Sequence, residues 1–413
     1  MKTTIITVAG LGSALLSSQL FAQPADKPWN VAATVRGFYD DNYLTRYSKS
    51  MGKRDSYGFE ISPEAKVAIR QEMTTLDASY RYGMRYYGDR NNNRADHSHE
   101  LNLGLNHNFS DNCKLSIEDS FVVAQEPEVL EPGLISTPLR TDGNNMRNRA
   151  AVDFAYKLND SISVEPGYSF SFYDYEQSGT DSRSALLDRY EHLGYLNLRW
   201  INMLENTDGL IGYQFGVVDH NSNDKVSLMG VPIPSDIRDN YSHYLYVGVE
   251  HRFSELIRTK ILIGAEYTKY SEAHDILGPN IDDDQVNPFV DASFIYEGKY
   301  GEFQLGVRHA RSQTDLVVFD AEATSVYGSF KREIYGGIKG TITGMYQFSD
   351  FEDPTGALSD QSEGFMMLGA NLSYDINKFV AAEVGYNYDL LSSDIAYRSY
   401  HRNRVYWGLR GSF

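Results

Sequence analysis

Apolar and polar residues alternate with a period of two along most of this chain. The clearest run spans Leu76 to Tyr86, where Leu76, Ala78, Tyr80, Tyr82, Met84 and Tyr86 alternate with Asp77, Ser79, Arg81, Gly83 and Arg85. A helix would scatter both sets around its surface, whereas a strand sends them to opposite faces. Leu101, Leu103 and Leu105 alternate with Glu100, Asn102, Gly104 and Asn106 in the next segment. Ile334, Ile338, Ile342, Tyr346 and Phe348 set against Lys339, Thr341, Thr343 and Gln347 read as one further strand. Scored from end to end, the pattern predicts about eighteen strands of roughly 9–11 residues or slightly more, with sixteen as the other option. Their expected starts lie near Asn30, Gly58, Thr75, Ser98, Lys114, Arg149, Ser161, Tyr190, Gly209, Tyr241, Thr259, Pro288, Glu302, Ser325, Tyr335, Gly364, Phe379 and Asn403.

The connections alternate in length. Short turns such as Ser110-Asp111-Asn112, Asn159-Asp160 and Asp375-Ile376-Asn377 are followed by long segments, among them Glu126 to Met146, Tyr175 to Arg189, His220 to Asp239 and Ser271 to Gln285. That is the habit of an antiparallel up-and-down transmembrane barrel, short on one side and long on the other. A soluble sandwich or propeller has no need of it. An even strand number brings both termini to the short-turn side, which is the periplasm in such barrels. Pro63, Pro166 and Pro288 fall inside or at the ends of proposed strands of a sheet without free edges, so each is expected to mark a bulge or a strand end.

Charge follows the same parity. A lipid-facing Lys or Arg near the midplane costs about 2–4 kcal/mol, so strand charges belong on the lumen side. Arg36, Arg81, Arg85, Arg149, Arg199, Arg308, Arg404 and Arg410 oppose apolar faces, as do Glu100, Asp153 and Glu266, and these are the expected pore-lining residues. The lumen is then roughly balanced in sign, and the surplus acid behind a net charge of −18 falls in loops. A net charge this negative disfavours nucleic acid and anionic lipid as partners. Two roles are open to the lumen charges: pairing across strands to brace the wall, or a transverse field that selects solutes.

No stretch after Ala22 approaches the roughly 20 apolar residues of a membrane helix. Cys113 is the only cysteine, which rules out an intrachain disulfide and a Cys₄ zinc site. Lys2, an apolar Ile5–Leu20 and the segment Leu20-Phe21-Ala22 before Gln23 predict a secretory signal peptide over 1–22. A short segment, 23–28, and one barrel domain, 29–413, would follow. The last segment, Arg404 to Phe413, alternates Val405, Trp407, Leu409 and Phe413 against Arg404 and Arg410.

A strand closing on an aromatic residue resembles the carboxy-terminal signature of Gram-negative outer-membrane β-barrels. Together with the signal peptide, Tyr-rich strands and loop alternation, the chain resembles the β-barrel porins, including the type called β-barrel porin 2. That resemblance implies an outer-membrane location with lipid and lipopolysaccharide around the wall, and recognition of Phe413 by the barrel assembly machinery. It further implies passive diffusion of small hydrophilic solutes, and the homotrimer common among porins. In general porins the third outer loop folds inward. Here that loop is Glu126 to Met146, and Glu126, Glu128 and Glu131 would face lumen arginines if it does the same; an outer loop packed on its neighbours is the other reading. A polysaccharide-export conduit and a structural or adhesive barrel are the alternative functions.

Other chemistry finds little footing. His97, His99, His192, His243, His251 and His309 lie near strand ends, where amphipathic rings suit the interfacial girdle. His97-Ser98-His99 lacks fixed partners for a metal, and Asp282-Asp283-Asp284 lacks the spaced ligands and Gly of a calcium loop. No local motif joins Ser to His, and no phosphate-binding loop occurs. Neither a catalytic site, a metal nor a cofactor is expected.

Overall fold

The computed structural model describes residues 27–124, 144–228, 230–271, 283–299, 301–316, 320–352 and 361–413. The expected signal peptide, 1–22, and the loop acids Glu126, Glu128 and Glu131 lie outside the described residues. Eighteen strands pair with their sequence neighbours, all antiparallel, in one closed sheet. They are β1 (Trp29–Asp40), β2 (Ser56–Arg70), β3 (Thr74–Tyr87), β4 (Ala95–Ser110), β5 (Cys113–Ala124), β6 (Asn145–Asn159), β7 (Ile162–Tyr175), β8 (Arg189–Leu204) and β9 (Thr207–His220). After a hairpin, β10 (Lys225–Leu228) and β11 (Val231–Pro234), the wall resumes with β12 (Asn240–Arg252), β13 (Ile257–Tyr270), β14 (Asp284–Gly298) and β15 (Gly301–Ser312). It ends with β16 (Asp320–Tyr335), β17 (Ile338–Glu352), β18 (Ser362–Asp375), β19 (Val380–Ser393) and β20 (Tyr400–Ser412). The seam joins β1 to β20, with Val35 opposite Leu409, so the eighteen-strand wall has no free edge strand.

Parity decides what each side of this wall shows. On β12, Leu245 is 62 % exposed while the adjacent Tyr246 is 2 % exposed. Ile211, Trp200, Ile263, Leu368 and Trp407 point outward in the same way, and Glu60, Asp153, Glu165, Asn197, Gln214 and Gln347 are buried inside. Outside, Tyr hydroxyls tie to histidines one strand over and two residues along. Tyr80 with His99, Tyr82 with His97, Tyr168 with His192 and Tyr213 with His243 all have O–Nδ1 distances of 2.7–2.9 Å. A second ring set, His107 with Phe109 and His251 with Phe253, marks the short-turn side. Between His99 and His107 the outward residues of β4 are Leu101, Leu103 and Leu105. Eight residues at about 3.4 Å along a strand tilted about 40° give a band about 20 Å tall, close to the apolar band of a membrane barrel. His220 is not in a girdle; it is 4 % exposed, with Asp239 Oδ1 3.3 Å from Nδ1.

Expected and observed strand starts agree to within five residues, the widest gap being Ser325 against Asp320. One assignment is corrected. Ile334 and Tyr335 end β16 rather than open β17, because Gly336 and Gly337, at φ 58° and 84°, make a two-residue turn between them. The prolines also behave differently from expectation. Pro63 and Pro166 mark neither bulge nor strand end: the register stays constant past each, and pairings are missing on one side only. Both prolines hold their place in the ladder on the other side, opposite Ala33 and Leu196. A proline lacks one N–H, so one side of the ladder suffices to fix it. Pro288 sits opposite Ala265, beyond the last pairing of β14 with β15. The register shifts fall instead at Asn108/Ser110, Lys157/Asn159, Trp200/Leu204 and Glu333/Tyr335, all beside short turns.

Five inward glycines lie directly opposite an aromatic residue: Gly58 faces Phe38, Gly167 faces Tyr195, Gly212 faces Tyr246, Gly306 faces Tyr327 and Gly385 faces Tyr406. A Cβ at any of the five would run into the opposing ring, so the ring lies flat over the glycine along the wall.

Candidate functional site

The inward face is a network of charges held by adjacent strands. Near the seam, Arg36 reaches Glu383 at 2.5 Å and Glu60 at 3.4 Å, with its guanidinium 4.8 Å from the Tyr406 ring centre. Glu60 also accepts from Arg85 at 3.2 Å, Arg81 binds Glu100 at 2.6 Å, and Arg410 binds Glu64 at 3.0 Å. Arg404 meets Asp389 at 3.3 Å. On the far wall Arg199 is a hub, 2.8 Å from Glu165, 2.9 Å from Glu250 and 3.4 Å from Asp208. Asp153 accepts from Tyr195. Glu266 is 1 % exposed and accepts from Thr268 at 3.3 Å. Arg308 is directly opposite Asp291 in register.

All eleven residues expected in the lining therefore lie on inward parity, and the network brings most of them into ion pairs. Bracing of the wall accounts for much of this charge. Several inner groups escaped the sequence reading. Arg402 donates to Asp40 at 2.9 Å, Arg311 binds Asp320, and Tyr246 donates to Asn197 at 2.6 Å. Parity alone could have found Arg402 and Tyr246.

Loops were beyond reach of parity, and they shape the mouth on the long-loop side. In the connection 176–188, Ser182 caps a short helix, α1 (Arg183–Leu187), by accepting from Ala185 N at 3.1 Å. The turn buries Ala185, Leu186 and Leu187 against Val226, Ile237 and Tyr270, which come from β10, the connection before β12 and the end of β13. Arg238, 1 % exposed, donates to the carbonyls of Leu186 and Thr314, the latter at 3.0 Å, and so bridges three connections. Burial, then the nearby Arg189 charge, pulls its guanidinium down to about 10, which keeps it charged at neutral pH. Arg398, between β19 and β20, binds Glu363 and, at 3.2 Å, Asp315 between β15 and β16.

A cavity of ≈ 210 Å³ lies among these loops, lined by Leu44, Arg46, Gln177, Asp181, Arg183, Leu186, Asp315 and Arg398. Three of its contributing connections, β1–β2, β7–β8 and β15–β16, are spaced six strands apart around an eighteen-strand wall. Such a wall is roughly 35 Å across. Loops rooted a third of a turn apart share a cavity only by folding in over the mouth. The inward narrowing among the described residues thus comes from these loops.

An inside-out cylinder of this kind, apolar without, charged within and ringed at two heights by aromatic and histidine side chains, is a transmembrane β-barrel. No protein-family profile matches the chain, nor does any curated protein. Solved structures similar to it include the outer membrane protein OpdK of Pseudomonas aeruginosa (10 % identity, 93 % of this chain and 99 % of that one, TM-score 0.47). OccAB4 of Acinetobacter baumannii (14 %, 95 % and 100 %, 0.45) and a BenF-like porin of Pseudomonas fluorescens Pf-5 (11 %, 93 % and 99 %, 0.48) are similar to a like degree. Likeness at this level carries no weight on function, which rests on the barrel's own geometry.

Proposed function

We propose that this chain is an outer-membrane channel for passive diffusion of small hydrophilic solutes, with both ends of the barrel on the periplasmic side. The observation that carries the reading is the charged interior of a wide, closed wall whose outer mouth narrows to a polar, arginine-bearing cavity. Eighteen strands leave an aqueous bore unless something fills it. Alternating acids and bases along that bore favour polar solutes over apolar ones. The inward loops act as the size filter, and Arg36, Arg81, Arg85, Arg149, Arg199, Arg308, Arg404 and Arg410 with Glu100, Asp153 and Glu266 line the path below. Glu126, Glu128 and Glu131 add acid to the same mouth if their loop turns inward.

Single-channel recording of the mature protein in a planar bilayer tests this. Stable conductance steps, with an ion selectivity that shifts when Arg183 or Arg398 is neutralised, are expected. A folded barrel that passes no current and no small solute in liposome-swelling assays would sink it.

A further inference from the structure

Among the described residues, six that are not glycine have a clearly positive φ. Three are asparagines, Asn93, Asn202 and Asn206, a type that tolerates this region at turns. The other three, Thr45 (φ 49°), Asp181 (58°) and Tyr397 (65°), gather at the cavity between the loops of the mouth. Asp181 lines it, Thr45 lies between the lining residues Leu44 and Arg46, and Tyr397 immediately precedes the lining residue Arg398. A β-branched Thr and a bulky Tyr are strained in that conformation, and such strain persists only where the surroundings over-determine it. They do so here. Asn42, fully buried, accepts from Arg46 N at 2.9 Å and donates to the carbonyls of Arg46 and His401 at 2.9 and 2.8 Å. Asp181 accepts from Ser227 N, and Arg398 holds Glu363 and Asp315. The same strained turns bring two rings together. Tyr47, one residue after Arg46, meets Tyr397 edge to face with ring centres 6.1 Å apart, although both are exposed. With Val231 they are the only large apolar side chains exposed on the described connections of the long-loop side.

We infer that this cavity, with the Tyr47–Tyr397 pair at its rim, is a binding subsite for one neutral sugar ring. The inference rests on the channel reading for the solute's arrival and on the cavity's own chemistry for its class. Charge there is balanced: Arg46, Arg183 and Arg398 stand against Asp181, Asp315 and, bonded to Arg398, Glu363. An ion of either sign therefore gains little net attraction. Guanidinium and carboxylate side by side present donors next to acceptors, which is what adjacent hydroxyls, each both donor and acceptor, require. A sugar ring also has apolar C–H faces, and exposed tyrosine rings with Leu44 and Leu186 offer surfaces to cover them. A purely aromatic solute would satisfy the rings but bury the charged lining without hydrogen bonds. The volume of ≈ 210 Å³ equals about seven waters at ~30 Å³ each, the room of one six-membered ring with its hydroxyls.

Saturation-transfer NMR on the mature protein in detergent tests this with glucose, galactose and their methyl glycosides, set against glucuronate, glutamate and lysine. Saturable binding of at least one neutral sugar, tighter than that of every charged solute, is expected. Tyr47→Ala and Tyr397→Asn should each weaken it about tenfold, and Tyr47→Phe should not. Asn suits the left-handed backbone at 397, so that variant removes the ring and keeps the turn. Binding of the free sugars alone identifies a solute in transit, and binding of the methyl glycosides as well extends the site to the end of a glycan; both support it. No saturable sugar binding, tighter binding of a charged solute, or ring-less variants that bind like the wild type would each overturn the assignment. If a variant fails to fold, the wild-type panel decides alone. Ion conductance judges the channel separately: a conducting barrel that binds no sugar loses only the subsite, and a silent barrel that binds sugar loses only the channel.

Discussion

Asp188 makes the loop assembly over the mouth sensitive to pH. It is 7 % exposed, between α1 and β8, and accepts from Ser184 Oγ and Tyr175 N, each at 2.7 Å. Burial, reinforced by Asp174 and Asp224, outweighs those bonds and pushes its carboxyl from 3.8 up to about 6. Holding the proton up to about pH 6 instead of 3.8 is worth roughly 3 kcal/mol to the protonated folded loop. The sign follows from which state holds the proton more tightly. The folded loop does, so this stability is fully present below pH 3.8 and is lost as pH rises through about 6. The opening equilibrium of 176–188 should therefore favour the open form about 10²-fold more at pH 7.5 than at pH 3.5. Hydrogen exchange of loop peptides, expressed as protection factors so that intrinsic rates drop out, measures it. Asp188→Asn keeps an acceptor for Tyr175 and gains a donor for Ser184, and should show high protection at both pH values. Wild-type protection that does not change with pH, or an Asn variant that keeps the full dependence, would refute the reasoning.

Arg238→Met should strand two buried carbonyls at about 1–3 kcal/mol each, raise exchange in 176–188 and 313–316, and enlarge single-channel conductance without altering the barrel's resistance to denaturation. Arg199→Met leaves Glu165 and Glu250 without their cation and Asp208 with Arg252 alone, at 3.7 Å; a loss of about 3–5 kcal/mol is expected in denaturant unfolding, partly restored by adding Glu165→Gln. Gly212→Ala should swing the Tyr246 ring off the wall into the bore and lower conductance, and the Gly212→Ala/Tyr246→Ala double variant should recover it.

Alternation made the wall legible because one face of each strand meets lipid and the other water, so a residue's parity is its environment. The Leu76–Tyr86 run and the Arg404–Arg410 strand were readable for that reason. Where two strands met at Gly336-Gly337, the pattern ran on from Ile334 to Ile338 and concealed the turn, since two glycines carry no parity. Arg238 and Arg398 were not readable at all. Loop side chains find partners through three-dimensional convergence, as Arg238 does with Leu186 and Thr314, and no period in the sequence encodes that.

The seam has a further consequence, in the order of events during assembly. Val35 and Leu409 become neighbours only when the two ends of the wall zip together. Arg46, Arg183, Asp315 and Arg398 are spread across the chain, and the cavity they line depends on sectors that curvature alone brings together. A partly inserted sheet, still open at β1 and β20, therefore holds the β1–β2, β7–β8 and β15–β16 loops apart, although neighbouring loops such as 176–188 and 235–238 already pack together. The cavity over the mouth comes into being with the cylinder, and it serves as the molecule's own record that closure is complete.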